Sequence, residues 1–353
     1  MRIGVIGAGI VGLSTAYALR RYPVTVRVFD RAAPMTGRSR GGTRIFRYAH
    51  DIPALVRYAV RAREGWSRWE RTSGQVLIGA ETTVVSGSGA AERYAAMRAA
   101  GVRCGLYSSV SSVPGLPARP STPGPFLVDP AGGVIQAART GEFLAAAVRR
   151  SLHVDDVERI TVHGHTATIH SARGSWQCDS VLIAAGAEAA ALTPSVPSAR
   201  EHHFRFTFPL TSGAELRCWI ERSSAWRDGF TTYGHLVGPG LWAIGAHLPA
   251  ADTAWSLPVA EAHRRARAAV VAYVREFLSD VVSPEPVDEV YCAPTPGLGD
   301  GIHVARTGPV LSVWGENLFK FAPALGADLA AAVASRGLPE DLPADLPQRR
   351  SSA

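Results

Sequence analysis

The sequence predicts an α/β protein in which a Rossmann-like dinucleotide-binding domain is interrupted by a second domain built on an antiparallel β-sheet. Two observations predict this fold class. The first is a complete unit of strand, glycine turn, helix and strand at residues 3–30. The second is a change near residue 76 to short β-like runs separated by glycine, serine and proline. A chain of 353 residues is long enough for both domains.

The first unit contains every part that a dinucleotide fold requires. An apolar strand runs into Gly-Ala-Gly-Ile-Val-Gly at residues 7–12 and on into a helical pattern, and a second strand ends on Asp30. Gly7 permits the tight turn, Gly9 lets a pyrophosphate approach the backbone, and Gly12 lets the helix pack closely on the sheet. The helix N-terminus would bind the phosphates, and Asp30 would accept hydrogen bonds from an adenosine ribose. The unit therefore predicts an adenine dinucleotide.

Composition argues against several other functions. The net charge of +7 comes from dispersed basic residues without an aromatic-interleaved groove, so we expect no nucleic-acid partner. No apolar run reaches the ~20 residues of a membrane span, and the first strand, beginning at Ile3, leaves no room for a signal peptide. The four cysteines are widely spaced and fit neither a disulfide framework nor a zinc site. We expect a cytoplasmic protein that binds no metal and no membrane.

Basic residues are almost all arginine. Of 37 basic residues only Lys320 is a lysine, which leaves 37 − 1 = 36 arginines. A position that keeps lysine in such a composition is a candidate for a site that needs a compact ammonium group rather than a planar guanidinium.

Two further segments extend the nucleotide unit. The loop at residues 36–47 holds four arginines and three glycines, and because it follows the dinucleotide unit directly we expect it to bind an anionic group. Residues 179–187 read as a buried strand that ends in Ala-Gly-Ala, where Gly186 permits close backbone approach.

Four segments carry a resemblance to a known family: residues 7–12, 42–47, 181–187 and 318–326. Together they resemble the FAD-dependent amine oxidoreductases of the D-amino-acid oxidase superfamily, and especially its branch of monomeric sarcosine oxidase and N-methyltryptophan oxidase. The first and third segments are common to many flavoproteins, whereas the second and fourth are more specific. The resemblance covers most of the chain.

The resemblance implies FAD as cofactor and an amino-acid-like substrate whose C–N bond is oxidised by hydride transfer to flavin N5, with oxygen or another electron acceptor completing the cycle. It implies a monomer or homodimer and a second domain that covers the flavin and binds substrate. The predicted FAD-binding domain comprises residues 1–75, 142–198 and 286–340, the substrate domain comprises 76–141 and 199–285, and a loose tail occupies 341–353.

The resemblance also assigns roles to individual residues. Arg47 and Lys320 match the pair that holds the substrate carboxylate, Arg44 matches an arginine beside the flavin ring, and His247 matches a histidine of the active site. Cys292 matches the cysteine that binds flavin covalently; a small buried side chain without that bond is the alternative. The predicted cofactor-binding residues are Gly7, Gly9, Ile10, Val11, Gly12, Asp30, Arg31, Arg38, Ser39, Gly42, Thr43, Arg44, Gly186, Cys292, Gly315, Asn317, Leu318 and Lys320.

Two departures from the family pattern bear on activity. The family has a lysine that promotes the reaction with oxygen where this chain has Ala243, and loss of a buried cation there puts fast oxidase turnover in doubt. The family usually has Gly-His-Gly where this chain has Glu316-Asn317-Leu318. We therefore expect a reshaped pocket and a specialised, biosynthetic amino or imino acid rather than sarcosine.

Three alternatives remain open at this point. A flavin-dependent monooxygenase or reductase is suggested by Gly299-Asp300-Gly301, which is distantly similar to a Gly-Asp cofactor motif. A flavoprotein that uses FAD without turnover would fit the missing lysine. A plain NAD dehydrogenase is the weakest alternative, since it rarely needs the later nucleotide segments.

Overall fold

The computed structural model describes residues 1–117, 120–122, 124–211, 216–222, 226–340 and 342–343. The predicted tail at 341–353 therefore lies almost entirely outside the described residues. The strands are β1 (Arg2–Ile6), β2 (Thr25–Asp30), β3 (Thr43–Phe46), β4 (Thr83–Ser86), β5 (Gly105–Tyr107), β6 (Phe126–Asp129), β7 (Gly133–Gln136), β8 (Leu152–Val154), β9 (Val157–His163), β10 (Thr166–Ser171), β11 (Gly174–Cys178), β12 (Ser180–Ile183), β13 (His203–Pro209), β14 (Cys218–Glu221), β15 (Thr231–Gly238), β16 (Leu241–His247), β17 (Asp288–Cys292), β18 (Ile302–Thr307) and β19 (Val310–Gly315).

The helices lie between groups of these strands. They are α1 (Ile10–Leu19), α2 (Pro53–Ser73), α3 (Ala90–Ala99), α4 (Ala137–Val148), α5 (Ala189–Leu192), α6 (Ala250–Thr253), α7 (Val259–Phe277) and α8 (Ala322–Ser335). Short 3-10 turns precede or extend some of them, including the turn Leu318–Phe321 directly before α8.

A six-stranded sheet, in the order β18-β19-β12-β1-β2-β8, forms the nucleotide-binding half of the fold. Its strand β1 pairs in parallel with both β2 and β12. Because parallel strands are buried on both faces, they read as continuous apolar runs, and β1 is buried from Ile3 to Ile6. Helix α1 packs on α8, where a Cβ on Gly326 would lie 2.6 Å from the Ser14 backbone. Close helix contact here requires glycine.

An eight-stranded sheet, in the order β17-β13-β16-β15-β14-β4-β6-β5, forms the second half of the fold. Alternation along β13 places Phe204, Phe206 and Phe208 in an apolar core under α7. The opposite face of the same strands therefore carries the intervening polar side chains. Parallel and antiparallel sheets in one chain confirm the predicted α/β class.

Two smaller sheets complete the fold. Strands β9, β10 and β11 form a three-stranded sheet, and β3 pairs with β7. The predicted domain boundaries stay a prediction. Strand β17, which begins just after the predicted boundary at residue 286, pairs with β13 in the eight-stranded sheet.

One described helical stretch, Leu318–Ser335, has the length and apolar composition of a membrane span. Because 78% of it is buried inside the fold, packing against α1 and α2 accounts for its composition.

Candidate cofactor and substrate site

The glycine turn after β1 is built around two glycines that tolerate no side chain. Gly7 has φ +104°, a conformation that side chains disfavour, and a Cβ there would collide with the backbone carbonyl of Ala184. A Cβ on Gly12 would collide with the carbonyl of Gly7. Helix α1 consequently begins right against the turn and directs its first N–H groups into the space beyond it.

The start of α1 fits a phosphate group. Gly9, the residue before the helix, has no side chain to cap it, and the first turn contains no acidic residue. The Ile10 N–H donates to Ser39 Oγ at 3.0 Å, and a Cβ on Gly9 would lie 3.0 Å from the same oxygen. A small polar side chain next to bare backbone N–H groups is what an approaching pyrophosphate requires. The residues present therefore fit a dinucleotide.

The other cofactor residues predicted in the first half lie at the carboxyl edge of the parallel sheet, where α/β folds bind ligands. Asp30, at the end of β2, accepts a hydrogen bond from the Ala8 N–H at 2.7 Å and so ties the glycine turn to β2. Arg31 lies 3.6 Å from Glu188, both exposed. Gly186 follows β12 with φ +59°, and Gly315 ends β19.

The eight-stranded sheet presents a polar face made of His203, Arg205, Tyr233, His235, His247 and Cys292, which we call the polar sheet face. Register explains why these side chains share it. Arg205 pairs with Gly245, Gly245 with Tyr233, and His203 with Cys292. Gly245 leaves the room that the Tyr233 ring fills, since a Cβ there would collide with that ring.

Strand β3 meets the polar sheet face at Thr43. The Thr43 hydroxyl lies 3.0 Å from His235 Nε2, and Arg205 donates to the Thr43 carbonyl at 3.1 Å. Arg44 donates to the same carbonyl at 2.7 Å and to that of Arg40 at 2.6 Å. Burial and the nearby Arg205 charge lower the pKa of Arg44 to about 10. Burial and Arg205 likewise hold the pKa of His235 well below its usual value, so its ring is neutral.

Cys292 ends β17 beside an ion pair. Arg38 binds Glu316 through its two terminal guanidinium nitrogens, Nη1 and Nη2, and Glu316 Oε1 also accepts from the Thr295 N–H at 2.9 Å. Glu316 therefore links the segment that follows Cys292 to Arg38. Burial raises the pKa of the Cys292 thiol, while the charges of Arg38 and Arg44 oppose the rise.

A second cluster, the Asp300 cluster, contains Asp300, Arg47, Lys320, His50 and Asn317. Asp300 Oδ2 accepts from Arg47 Nη2 at 2.5 Å, and Oδ1 accepts from Lys320 Nζ at 2.8 Å. Oδ1 also accepts from the Asn317 amide at 3.0 Å, and His50 Nδ1 lies 3.1 Å from Oδ2. The two cations predicted to hold a substrate carboxylate therefore converge on one carboxylate of the protein itself.

Burial sets the protonation of this cluster. Burial alone would raise the pKa of Asp300, but Arg47 and Lys320 hold it well below its usual range. Burial and the Arg47 charge lower the pKa of Lys320 to about 7, and burial lowers the pKa of His50 to about 3. His50 is therefore neutral, and its Nδ1 lies 3.1 Å from Asp300 Oδ2 and 3.3 Å from Arg47 Nη1. Its Nε2 is buried without a hydrogen-bond partner among the described residues.

Further charges of both signs surround the Asp300 cluster: two arginines, and Asp129, a buried carboxylate within electrostatic reach of Arg47. Burial and Arg47 lower the pKa of both Arg93 and Arg222, which places these guanidinium groups within electrostatic reach of the cluster. Asp51, beside Arg93 at 3.5 Å, is more than half exposed and so offsets little. The buried Nε atoms of Arg93 and Arg222 have no partner among the described residues.

Chain geometry holds Lys320 and Asn317 in place. Trp66 Nε1 donates to the Lys320 carbonyl at 2.8 Å, and Phe319 stacks on Trp66, which anchors the 3-10 turn that also contains buried Leu318. Asn317 has φ +55°, a conformation that asparagine tolerates better than most residues. Gly42, before β3, accepts from the Ala137 N–H at 2.7 Å.

Sequence reasoning missed part of this arrangement. The sequence pattern suggests a role for Asp300 only in the monooxygenase alternative, and it assigns no role to His50 or Arg205. The signal for Arg205 was available, because aromatic residues at 204, 206 and 208 leave 203, 205 and 207 for the opposite face. His247 lies on that face, exposed, with its ring centre 5.3 Å from that of His203.

The fold and the glycine turn define a dinucleotide-binding protein. The sequence profile of the family described as "DAO: FAD dependent oxidoreductase" matches residues 2–332. The chain therefore belongs to that family, and it is an FAD-dependent oxidoreductase. This confirms the family and the cofactor that the sequence predicted.

Solved structures show the same fold. NikD, an unusual amino acid oxidase essential for nikkomycin biosynthesis, is 17% identical, with a TM-score of 0.81 over 98% of this chain and 97% of that chain. L-proline dehydrogenase from P. horikoshii is 18% identical, with a TM-score of 0.78 over 97% and 95%. Glycine oxidase from Geobacillus kaustophilus is 14% identical, with a TM-score of 0.72 over 95% of each chain. No curated protein matches in a sequence comparison.

Proposed function

We propose that this protein oxidises the C–N bond of an amino- or imino-acid-like substrate, whose carboxylate is held between Arg47 and Lys320. The observation that carries the proposal is the convergence of these two buried cations on a single carboxylate. Arg47 and Lys320 lie 273 positions apart in the chain, so only the fold brings them together. FAD, when bound, supplies the acceptor for the two electrons that the C–N bond loses.

The charge of the surroundings supports an anionic substrate. Arg93 and Arg222 add positive charge that Asp300 alone does not balance. This concentration of cations favours an anionic ligand over a neutral or cationic one, whether the ligand joins Asp300 or replaces it. The names of the structural neighbours, which include an amino acid oxidase, a proline dehydrogenase and a glycine oxidase, fit the same class of substrate.

The residues divide the remaining tasks. The turn from Gly7 to Gly12 and the N-terminus of α1 would hold the pyrophosphate, while Arg44 and the polar sheet face would hold the ring system. His247, exposed on that face, would contact substrate. Glu316, which is ion-paired with Arg38, stands where the family usually has a glycine, and this larger side chain favours a substrate other than sarcosine.

The test is anaerobic titration of the FAD-loaded protein with a panel of amino and imino acids and with the matching amines that lack a carboxylate. Loss of the visible flavin absorbance reports oxidation of the substrate. We expect carboxylate-bearing amines to bleach the flavin and the matching amines to do so far more weakly. If no member of a broad panel bleaches it, a role for FAD without turnover becomes the better explanation.

Lys320→Met tests the clamp itself. A charge-assisted hydrogen bond to a bound carboxylate contributes about 1.5–3 kcal/mol, so substrate affinity should fall roughly 10- to 150-fold while FAD is retained. Lys320→Arg should restore it in part. Arg267→Met, which removes an exposed charge paired with Glu285, is the matched control and should leave affinity unchanged. Unchanged affinity in Lys320→Met would refute the clamp.

The monooxygenase alternative makes a different prediction. It requires NADPH to bleach the flavin without any amine present. In the structure, the Asp300 side chain that suggested this alternative is directed at Arg47 and Lys320. That arrangement favours the amine oxidoreductase.

A further inference from the structure

We propose that Asp300 is a resident competitor for the substrate-carboxylate site, and that a substrate binds by exchanging its own carboxylate for that of Asp300. The inference rests on the proposed function, because it takes Arg47 and Lys320 as the carboxylate clamp. It makes Asp300 the residue that sets how strongly, and how selectively, a carboxylate is bound.

Exchange, rather than addition, follows from the hydrogen bonds. Asp300 Oδ1 accepts from Lys320 and Asn317, Oδ2 accepts from Arg47, and His50 Nδ1 lies 3.1 Å from Oδ2, so both oxygens are engaged. Arg47 also donates through Nη1 to the Ala49 carbonyl. Asp300 thus occupies the place between Arg47 Nη2 and Lys320 Nζ, and a second carboxylate that bridges the same two groups would have to take that place.

The backbone around Asp300 permits it to leave. Asp300 lies in the segment Gly297-Leu298-Gly299-Asp300-Gly301, between β17 and β18. Gly297 has φ +77° and Gly299 has φ +57°, conformations that cost glycine little. Glycines on both sides of the aspartate allow large rotations over a short length of chain, which is the usual basis of a local hinge.

Charge decides what can replace Asp300. Removing the aspartate without a substitute would leave Arg47 and Lys320 buried without their counter-charge, which is strongly unfavourable. An amine without a carboxylate brings no anion and cannot displace it. A carboxylate-bearing amine replaces one anion with another, so its contacts with the rest of the pocket decide the balance. Asp300 therefore selects amino-acid-like substrates against plain amines.

The cost of this selection is a lower apparent affinity. The apparent dissociation constant rises in inverse proportion to the fraction of molecules in which the clamp is available. If Asp300 holds the clamp about nine-tenths of the time, its loss should strengthen carboxylate binding about 10-fold. A merely orienting role for Asp300 predicts the opposite sign.

The experiment is calorimetric titration of the FAD-loaded protein with acetate, with acetamide as the neutral control ligand. In Asp300→Asn, which keeps the size of the side chain and removes its charge, acetate should bind about 10-fold more tightly than in the wild type. Acetamide binding should change little. Acetate binding that is equal or weaker in Asp300→Asn would overturn the proposal, because Asp300 would then be positioning Arg47 and Lys320 for the substrate.

A second variant keeps the test decisive if Asp300→Asn fails to fold. Asn317→Gly removes one hydrogen bond to Asp300, retains its charge, and suits the φ of +55° at that position. Acetate should bind a few-fold more tightly to Asn317→Gly than to the wild type, because Asp300 loses the stabilisation of about one hydrogen bond. No gain, or a loss, would overturn the proposal.

The double variant Asp300→Asn with Lys320→Met separates this inference from the proposed function. Adding Lys320→Met should abolish the gain in acetate affinity. If the gain survives without Lys320, the lysine is not part of the clamp and the proposed function fails at that residue. If Lys320→Met weakens acetate binding but Asp300→Asn does not strengthen it, the clamp stands and only the exchange is wrong.

Discussion

Arg44 and Arg205 share one hydrogen-bond acceptor, the carbonyl oxygen of Thr43, at 2.7 Å and 3.1 Å. The two guanidinium groups come from different sheets and are brought together where β3 meets the polar sheet face. Their proximity lowers the pKa of Arg44, and the Nε of Arg205 is buried without a partner among the described residues. Two arginine side chains around one carbonyl form a positively charged place that would stabilise an electron-rich ligand.

We therefore expect Arg205→Met to weaken FAD binding. Loss of one charge-assisted contact should raise the dissociation constant roughly 10- to 150-fold. The measurement is FAD titration of apoprotein in a Cys292→Ser background, so that covalent attachment does not mask affinity. Arg139→Met, at an exposed arginine, is the control. Full FAD affinity in Arg205→Met would place the flavin ring elsewhere.

Gly9 and Gly12 should fail in different ways. A side chain on Gly9 meets only the flexible Ser39, so Gly9→Val should fold but block the pyrophosphate and yield colourless protein. A methyl group on Gly12 meets the Gly7 backbone, so Gly12→Ala should lose stability as well as FAD. Visible absorbance and thermal unfolding followed by circular dichroism separate the two. Normal flavin content in Gly9→Val would contradict the phosphate assignment.

Cys292 is expected to carry the flavin covalently. Flavin should then remain with the polypeptide after acid precipitation, and Cys292→Ser should release it. Cys104→Ser, at another half-buried thiol, should retain it. Because burial raises the pKa of the Cys292 thiol, attachment of FAD to apoprotein should quicken as pH rises. Free FAD in the wild-type supernatant would rule out the thioether.

Ala243 predicts slow reaction with oxygen. It is fully buried on the polar sheet face, in register with Thr207 and His235, and provides no charge. During turnover with substrate, an artificial electron acceptor should therefore give a higher rate than oxygen. Ala243→Lys should raise the oxygen rate, measured with an oxygen electrode. An unchanged rate would mean that Arg205 or another cation already promotes the reaction of the reduced flavin with oxygen.

Lys320 predicts a pH dependence with a definite sign. Its pKa of about 7 makes the amine increasingly neutral above neutrality, so substrate binding should weaken as pH rises through about 7. Lys320→Met should lack this transition. For folding, the unfolded chain binds the proton up to the ordinary lysine pKa, so the contribution of Lys320 to stability rises with pH between about 7 and 10.4. Substrate affinity that is flat from pH 6 to 9 would contradict the lowered pKa.

The sequence predicted what local chemistry determines. The glycines of residues 7–12 predict a tight turn because a side chain does not fit there. The alternating aromatic residues of β13 predict which face of that strand is buried. The pairing of Arg47 with Lys320 is predicted only by the family resemblance, because the two residues lie far apart in the sequence. Asp300 could not be foreseen as their partner. Its loop is rich in glycine and has no hydrophobic periodicity. Its contacts with Arg47 and Lys320 span 253 and 20 positions along the chain.

A chain with one lysine also carries its own spectroscopic handle. Reductive methylation with isotope-labelled formaldehyde modifies only amines, so it can mark just Lys320 and the N-terminal amine of this protein. The methyl signal from Lys320 would report directly on the charge beside it. Exchange of Asp300 for another carboxylate could thus be watched by NMR without introducing any substitution.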